Sequence, residues 1–580
     1  MMTEELPKHL RKYVVKQEER AYTPIDHAVW RFCLRQLRAY LAHNAHESYL
    51  DGLEKTGIEI ERIPRISDIS EKLSRFGWRA LPVSGFIPPA AFMELQSLNV
   101  LPIASDVRTA DHLTYTPAPD IVHEAAGHAP MLAHPEFAAY LRNYAQVASK
   151  ALISREDIEV YEAIRDLSDL KENPGSTTVD IARAEKRLEE VTGKTSHVSE
   201  ATWLSRMNWW TAEYGLIGSL EHPKIFGAGL LSSVGESKWC LSKKVKKIPL
   251  SVDCINYTYD ITEPQPHLFV TPDFPTLNKV LEDLAEKMAF RRGGLESIHK
   301  AILADTVNTV ELDSGIQIGG RCVEVVTDDD GELAFLRFDG PSQLAFGHKE
   351  LPGHDKNHHA HGYSTPLGAL RKFPGKNPAL LTDEEWKSLG AVEGGAITLE
   401  YVSGIKVTGR CQQHLCRNGK TLVLSLVDAK AQWKNRVLFE PEWGVYDIVF
   451  GLATPSVYGG PPDHEAYGEL DSFVAARVPA PKYSERELRQ HQHYAAVRAW
   501  RENKTSGKAM EEELTALFHA HRREFPQDWL LILEMYELSL NRLPYSPLTT
   551  ELQTTLNALA KSQKAGADVI QDGIHLAGTI

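Results

Sequence analysis

Between Tyr22 and about Tyr49, apolar residues fall at Val29, Trp30, Phe32, Cys33, Leu34, Leu37, Tyr40 and Leu41, the spacing of a buried helical face after a Thr23-Pro24 start signal. A second helix is expected over Ile66 to Phe76, with Ser67 placed to cap it and Gly77 to end it. From 81 to 119, clustered prolines, Gly85 and short apolar runs predict turns and brief strands rather than long helices. Helical patterns return over Asp120 to Ile153 and Ser199 to Leu220. Between these, Arg155 to Lys194 is acidic and Lys-rich, and Asn173-Pro174-Gly175-Ser176 breaks it into two arms, which predicts an exposed helical hairpin.

Beyond about Asp305 the pattern becomes that of strands. The run from Ser314 to Cys322, SGIQIGGRC, returns as SGIKVTGRC from Ser403 to Cys411, 89 positions later. Each copy leads into a hairpin signal, Asp330-Gly331 or Asn418-Gly419, and then a strand-like run. A duplicated small β module is the expected architecture, as a pair of packed barrels or sandwiches. Helices resume after Pro461-Pro462, Pro479 to Pro481 mark a further break, Trp529 to Leu540 is apolar and helical, and the tail from Lys561 thins into small polar residues.

Composition narrows the class. At 580 residues the length suits roughly four domains, and 42% hydrophobic with 24% charged residues suits a folded globular chain. Acidic residues outnumber basic ones by 78 to 64, so nothing resembles a footprint for a phosphate backbone, and nucleic acid is not expected as a partner. The six cysteines are scattered and form no CxxC pair, which points to reduced thiols. Neither a secretory signal nor a membrane-length apolar run is seen, so a soluble, cytoplasmic protein is expected.

The chemistry concentrates in Thr116 to Pro130, TPAPDIVHEAAGHAP, where His123 and His128 flank Glu124 just after proline-restricted backbone that Asp120 can cap. Five residues on an ideal helix separate the two imidazoles by about 140°, against about 40° in the HExxH step of zinc peptidases, so the spacing argues against a zincin. Both can converge on one metal if the helix is distorted near Gly127. A third ligand is available in WWTAEYGLI, where Glu213 shares a helical stripe with Trp210 and Ile217. A carboxylate on an apolar face needs a partner, and two His with one carboxylate form the facial triad of non-haem Fe(II) sites.

The stretch TPAPDIVHEAAGHAPML, the blocks WWTAEYGLIG and FGAGLLSSVGES, and the later ITEPQP together resemble the catalytic domain of the pterin-dependent aromatic amino acid hydroxylases, most closely the bacterial phenylalanine 4-monooxygenases. The resemblance spans about Tyr22 to Arg292. It implies a mainly α catalytic domain with short β elements, holding Fe(II) through His123, His128 and Glu213. It further implies Arg108 as clamp for the amino acid carboxylate, supported by Asp120, with polar contacts from Thr116 and Ser232 and with Pro119 and Trp209 bounding the ring. Tetrahydropterin would stack on Phe92 near Ile87 and Glu124. The implied reaction splits dioxygen between the pterin and the ring of a free aromatic L-amino acid, with phenylalanine to tyrosine favoured and tryptophan the alternative. Ring selection is expected to depend on Trp209, Tyr214 and Ile261.

The expected organisation is an N-terminal arm over 1–21, a catalytic domain over 22–304 with the hairpin of 155–194 inserted outside the pocket, a duplicated β-rich module over 305–460 and a helical region over 461–580. The C-terminal half reads as a non-catalytic binding or assembly module. The family's tetramerising tail is not evident, which leaves the oligomeric state open. A rival reading, a zinc metallohydrolase with Glu124 as general base, is disfavoured by the His spacing. Gly227-Ala-Gly229 lacks the strand and third glycine of a dinucleotide loop. His348, His354, His358, His359 and His361 lie among glycines, Pro352 and Asp355, and read first as a solvated loop.

Overall fold

The computed structural model describes residues 4–83, 87–113, 119–172, 176–261, 263–468, 470, 483–503, 506–543, 545–562 and 567–578. Thr23 caps the first long helix, Pro24–Asn44: its hydroxyl accepts from Asp26 N at 3.2 Å, and the Asp26 carboxylate accepts from Thr23 N at 2.7 Å. That helix buries Val29, Trp30, Cys33, Leu34, Leu37 and Leu41, and stops before Tyr49, which lies on a separate helix, Ser48–Lys55. The next helix, Ile66–Leu73, tightens into a 3₁₀ turn, Ser74–Phe76, and ends at Gly77 with φ 74°. Ser67 is not its cap. Arg65 holds that position, and the Ser67 hydroxyl turns to Asp68.

Strands β1 (Arg79–Val83) and β2 (Val100–Ala104) pair in parallel, and a helix, Pro89–Ser97, crosses between them. The proline-rich pattern gave no warning of that helix. Pro89 occupies its first turn, where the missing N–H has no intrahelical partner to lose. The charged hairpin is present as helices Arg155–Glu172 and Thr178–Lys194, its turn at 173–175 falling outside the described residues. A four-stranded sheet follows, ordered β4 (Pro223–Ile225), β3 (Leu216–Gly218), β6 (His267–Thr271), β5 (Lys246–Pro249).

The β-rich half holds two five-stranded sheets. The first contains β7 (Asn308–Glu311), β8 (Ile316–Thr327), β9 (Leu333–Phe346), β10 (Gly362–Pro366) and β16 (Ser456–Gly459), ordered 10-9-8-7-16. In the second, β11 (Ala396–Glu400), β12 (Lys406–Arg417), β13 (Lys420–Trp433) and β14 (Arg436–Phe439) pair in sequence, and β15 (Tyr446–Val449) pairs with β13. The β8–β9 ladder shifts register at Gly319/Arg321 and Cys322/Glu324; the β12–β13 ladder shifts at Thr408/Arg410 and Cys411/Gln413. Both pairs of bulges, and the ion pairs Arg321–Asp339 and Arg410–Asp428, are offset by the same 89 positions as the sequence repeat. The turns differ. Asn418 and Gly419, at φ 53° and 71°, make a two-residue turn, whereas Asp330-Gly331 sits in a longer loop held by the Asp328 carboxylate.

The helices Glu485–Glu502, Lys508–Glu524, Trp529–Arg542, Pro547–Ser562 and Ala567–Ala577 complete the described chain. The last corrects the expectation of a thinning polar tail: Ile570, Ile574 and Ala577 are buried, and Gly573 lies against Leu533 and Phe32. These helices share one hydrophobic core with the N-terminal region. Arg31 on the first long helix donates through Nε and NH2 to Glu534 at 2.5–3.1 Å, and Arg35 pairs with Glu537. Among the described residues, no helix is long and apolar enough to cross a membrane.

Candidate metal centre

His123 and His128 lie on a π-helix, Val122–His128, rather than an α-helix. With hydrogen bonds running from i to i+5, residues five apart stack one above the other as residues four apart do in an α-helix. The wide separation expected on an ideal α-helix is thereby removed. Asp120 supplies the start signal, its Oδ1 accepting from His123 N at 2.9 Å. Glu213 closes a second π-turn, Trp209–Glu213, which continues the helix Glu200–Asn208 capped by Ser199.

Two glycines let these turns meet. A Cβ on Gly127 would lie 2.6 Å from the Ala228 carbonyl oxygen, and one on Gly227 would lie 2.4 Å from the carbonyl oxygen of Glu213. The Gly227-Ala-Gly229 run therefore serves close backbone approach.

His128 Nε2 lies 3.1 Å from Glu213 Oε1, and His123 Nε2 lies 3.4 Å from Glu213 Oε2. Donors on neighbouring corners of an ion, with bonds of about 2.1 Å, lie about 3 Å apart. The three side chains thus fit one small cation, and they are one of the groupings among the described residues able to hold a metal. Ser232 sets the tautomer. Its single hydroxyl proton goes to the Ala228 carbonyl at 2.7 Å, so toward His123 Nδ1, 3.0 Å away, it accepts. Nδ1 then carries the proton and Nε2 turns its lone pair to Glu213, an arrangement that a shared cation resolves.

Burial pushes the Glu213 carboxyl up, but His128 and His123 outweigh it and hold the group well below the usual carboxylate range. Glu124 behaves oppositely: burial, with Glu213 and Asp120 adding to it against His128, pushes it up to about 8. Its Oε2 has no hydrogen-bond partner among the described residues. Two carboxyl groups in one site are thus driven apart.

Arg108 is buried and grips Asp120 with Nε and NH2, both at 2.8 Å, while NH1 donates to the Ser232 carbonyl at 3.1 Å. Burial opposes the Asp120 charge, but Arg108 outweighs it and lowers that carboxyl. The Ser232 hydroxyl, expected to touch substrate, is engaged with His123 and Ala228, so the residue ties Arg108 to the metal centre. Trp209 stacks between Tyr214, at 4.4 Å, and Tyr259, at 4.3 Å, which leaves the edge of the indole rather than a face to bound a ligand. Tyr214 in turn donates to Glu236 at 2.7 Å. Ile87 is buried in a satellite cluster with Leu81, Val83, Leu95 and Val100, and half-buried Phe92 packs against it. Pro119 is half-buried, and Ile261 is exposed. Thr116 lies outside the described residues.

The sequence pointed to Gly127 as the place where the helix would have to distort, whereas the positioning roles of Ser232 and Gly227 were not readable from the chain. The five-residue His spacing was the one available signal of a non-α turn.

A family model described as biopterin-dependent aromatic amino acid hydroxylase matches residues 12–162 and 191–294. The gap coincides with most of the charged hairpin. The phenylalanine-4-hydroxylase of Mesorhizobium japonicum is 30% identical over 266 residues, covering 45% of this chain and 80% of the relative. That of Pseudomonas aeruginosa is 28% identical over 264 residues, covering 45% and 84%. A solved phenylalanine hydroxylase from Chromobacterium violaceum, with iron(III) and 7,8-dihydrobiopterin, aligns at TM-score 0.37 and 26% identity over 48% of this chain and 86% of that one. The chain belongs to the biopterin-dependent aromatic amino acid hydroxylase family. That membership sets aside the zinc hydrolase reading.

Proposed function

We propose that this chain is a phenylalanine 4-monooxygenase, using Fe(II), a tetrahydropterin and dioxygen to convert phenylalanine to tyrosine. The observation that carries the reading is the convergence of His123, His128 and Glu213 inside a member of this family whose curated relatives are named phenylalanine-4-hydroxylases. When bound, iron and pterin supply the electrons that divide dioxygen between the pterin and the substrate ring.

We assign the protein's part as follows. His123, His128 and Glu213 hold the metal from one side. Ser232 keeps the His123 Nε2 lone pair available by accepting a hydrogen bond from Nδ1–H. Arg108 spends three of its five N–H groups on Asp120 and Ser232 and keeps one on each terminal nitrogen for an amino acid carboxylate. Asp120 fixes both Arg108 and the start of the His-bearing π-helix. Glu124 places a buried carboxyl beside the metal ligands for the pterin, and Phe92 and Ile87 form an apolar platform for its ring. Trp209 and Pro119 bound the substrate side, with Thr116 a further polar contact.

We read residues 22–304 as the catalytic part, with 1–21 as an arm and the hairpin at 155–194 as an insertion outside the pocket. The shared 89-residue offset of bulges and ion pairs supports reading 305–460 as two copies of one β unit. With 461–580 it forms a non-catalytic half that binds or braces. A cytoplasmic setting suits the free cysteines.

The test is product analysis with phenylalanine, tyrosine and tryptophan as separate substrates, each with Fe(II) and tetrahydropterin. Tyrosine formed from phenylalanine with tight coupling to pterin oxidation is expected, and Glu213→Ala abolishes both iron retention and product. Preferential 5-hydroxylation of tryptophan overturns the substrate assignment, and an iron-replete, active Glu213→Ala overturns the ligand set.

A further inference from the structure

A second group of ligand atoms lies in the β-rich half, outside the catalytic region. The loop joining β9 to β10 carries His354, His358 and His359, and β15 carries Asp447. His358 Nε2 is 2.9 Å from Asp447 Oδ2; His354 Nδ1 and His359 Nε2 lie 3.8 and 3.9 Å from the same oxygen and 3.4 Å from each other. One ligand atom from each residue falls within 4.8 Å of all the others. The sequence reads this stretch as a solvated loop, yet the side chains of His354, His359 and Asp447 are only 5%, 8% and 3% exposed, and His358 alone reaches solvent at 43%.

Hydrogen bonding accounts for two of these contacts, His358 to Asp447 and, at 3.4 Å, His354 Nδ1 to His359 Nε2. The His358–Asp447 distance suits an N–H donor, but 3.8 and 3.9 Å are beyond hydrogen-bond reach, so three imidazoles aimed at one carboxylate oxygen are only partly explained by it. A tetrahedral ion with bonds of about 2.0–2.1 Å spaces its donors about 3.3–3.4 Å apart, within the spread of distances seen here. The surroundings are those of a held ligand set. Ser425 Oγ donates to the other Asp447 oxygen at 2.5 Å and so aims Oδ2 at the imidazoles, while Asp355 Oδ1 accepts from His358 N at 2.8 Å and fixes the loop.

We propose that His354, His358, His359 and Asp447 bind a zinc-class divalent ion that fastens the β9–β10 loop to β15. Three imidazoles and a carboxylate suit zinc, and four protein ligands close the tetrahedron, so the site is structural rather than catalytic. Its position gives it a purpose. Asp447 pairs within the second sheet through β13, whereas the loop belongs to the first, so the ion staples the two sheets together where Thr365 Oγ1 already donates to the Val449 carbonyl at 3.1 Å.

Because zinc also competes for an iron triad, the test uses the full chain carrying Glu213→Ala, dialysed against a chelator and then titrated with zinc chloride, with metal content measured after desalting. One tightly bound zinc per chain is expected. Adding His358→Ala, which removes the most exposed ligand, is expected to weaken binding by more than about 100-fold, since losing even an outer-shell partner costs 10–100-fold. Co(II) in place of zinc should give the intense visible bands of a four-coordinate centre in the first protein and lose them in the second, with circular dichroism verifying that both are folded. Absence of stoichiometric zinc in Glu213→Ala overturns the proposal, as does a titration that His358→Ala leaves unchanged. Neither outcome bears on the hydroxylase reading, which rests on a different triad.

Discussion

Ser232 shows how one small side chain can govern a metal centre it does not touch. Its hydroxyl fixes the His123 tautomer and its carbonyl anchors Arg108, so the candidate metal triad and the proposed carboxylate clamp hang on the same residue. Ser232→Ala should therefore leave the fold intact yet weaken Fe(II) binding by about 10–100-fold, measured by equilibrium dialysis. An unchanged iron affinity rules out the tautomer argument. Gly227 acts by absence: only a residue without a Cβ lets the backbone pass the Glu213 carbonyl.

At the scale of elements, the charged hairpin is the clearest addition. Its two arms are held together by Arg187, which reaches Asp166 and lies 4.0 Å from Glu162, so the chain ends at 162 and 191 lie near each other across the pair. Replacing 163–190, the stretch the family model passes over, with a short Gly-Ser turn should preserve iron content and product formation within about twofold, because none of the metal ligands lies on the hairpin. Loss of iron on excision would show instead that the hairpin supports the pocket. The π-turns are the opposite case: at His123–His128 and at Glu213 the local hydrogen-bond pattern is itself part of the site.

Across the whole molecule, the C-terminal helices are braced to the first long helix by a buried charge network. Burial pushes the Glu534 carboxyl up, but Arg31 and Arg501 outweigh it and bring it down to about 2. A carboxyl depressed on folding stabilises the native state above its unfolded pKa of about 4.3, and that contribution is lost as pH falls from there through the depressed folded value. Urea unfolding between pH 6 and pH 3 should accordingly show a steeper loss of stability in the native chain than in Glu534→Gln. Glu534→Ala should cost about 3–5 kcal/mol, because Arg31, 2% exposed, is left as a buried charge without its carboxylate. A small, pH-independent change would mean that the network contributes little to docking these helices.

Much of the local structure was legible along the chain because it depends on neighbours. The Thr23 capping box, the helical arms after Arg155, the Asn418-Gly419 turn and the offset repeat all follow from contacts within a few residues or from one ladder. The residue types of the candidate triad were legible too, since imidazoles and a carboxylate on apolar stretches demand a partner. Contacts between distant segments had no such trace. That His123 and His128 share a face depends on a π-helix packed against Ala228, and that Glu213 meets them depends on Gly227. The histidines of the β9–β10 loop read as solvated until β15 brought Asp447 beneath them, and the polar-looking tail became a buried helix once Phe32 and Leu533 covered it. Residue chemistry and short-range hydrogen bonding are written in sequence order; which carboxylate answers which imidazole is decided by packing, whose partners lie tens to hundreds of positions away.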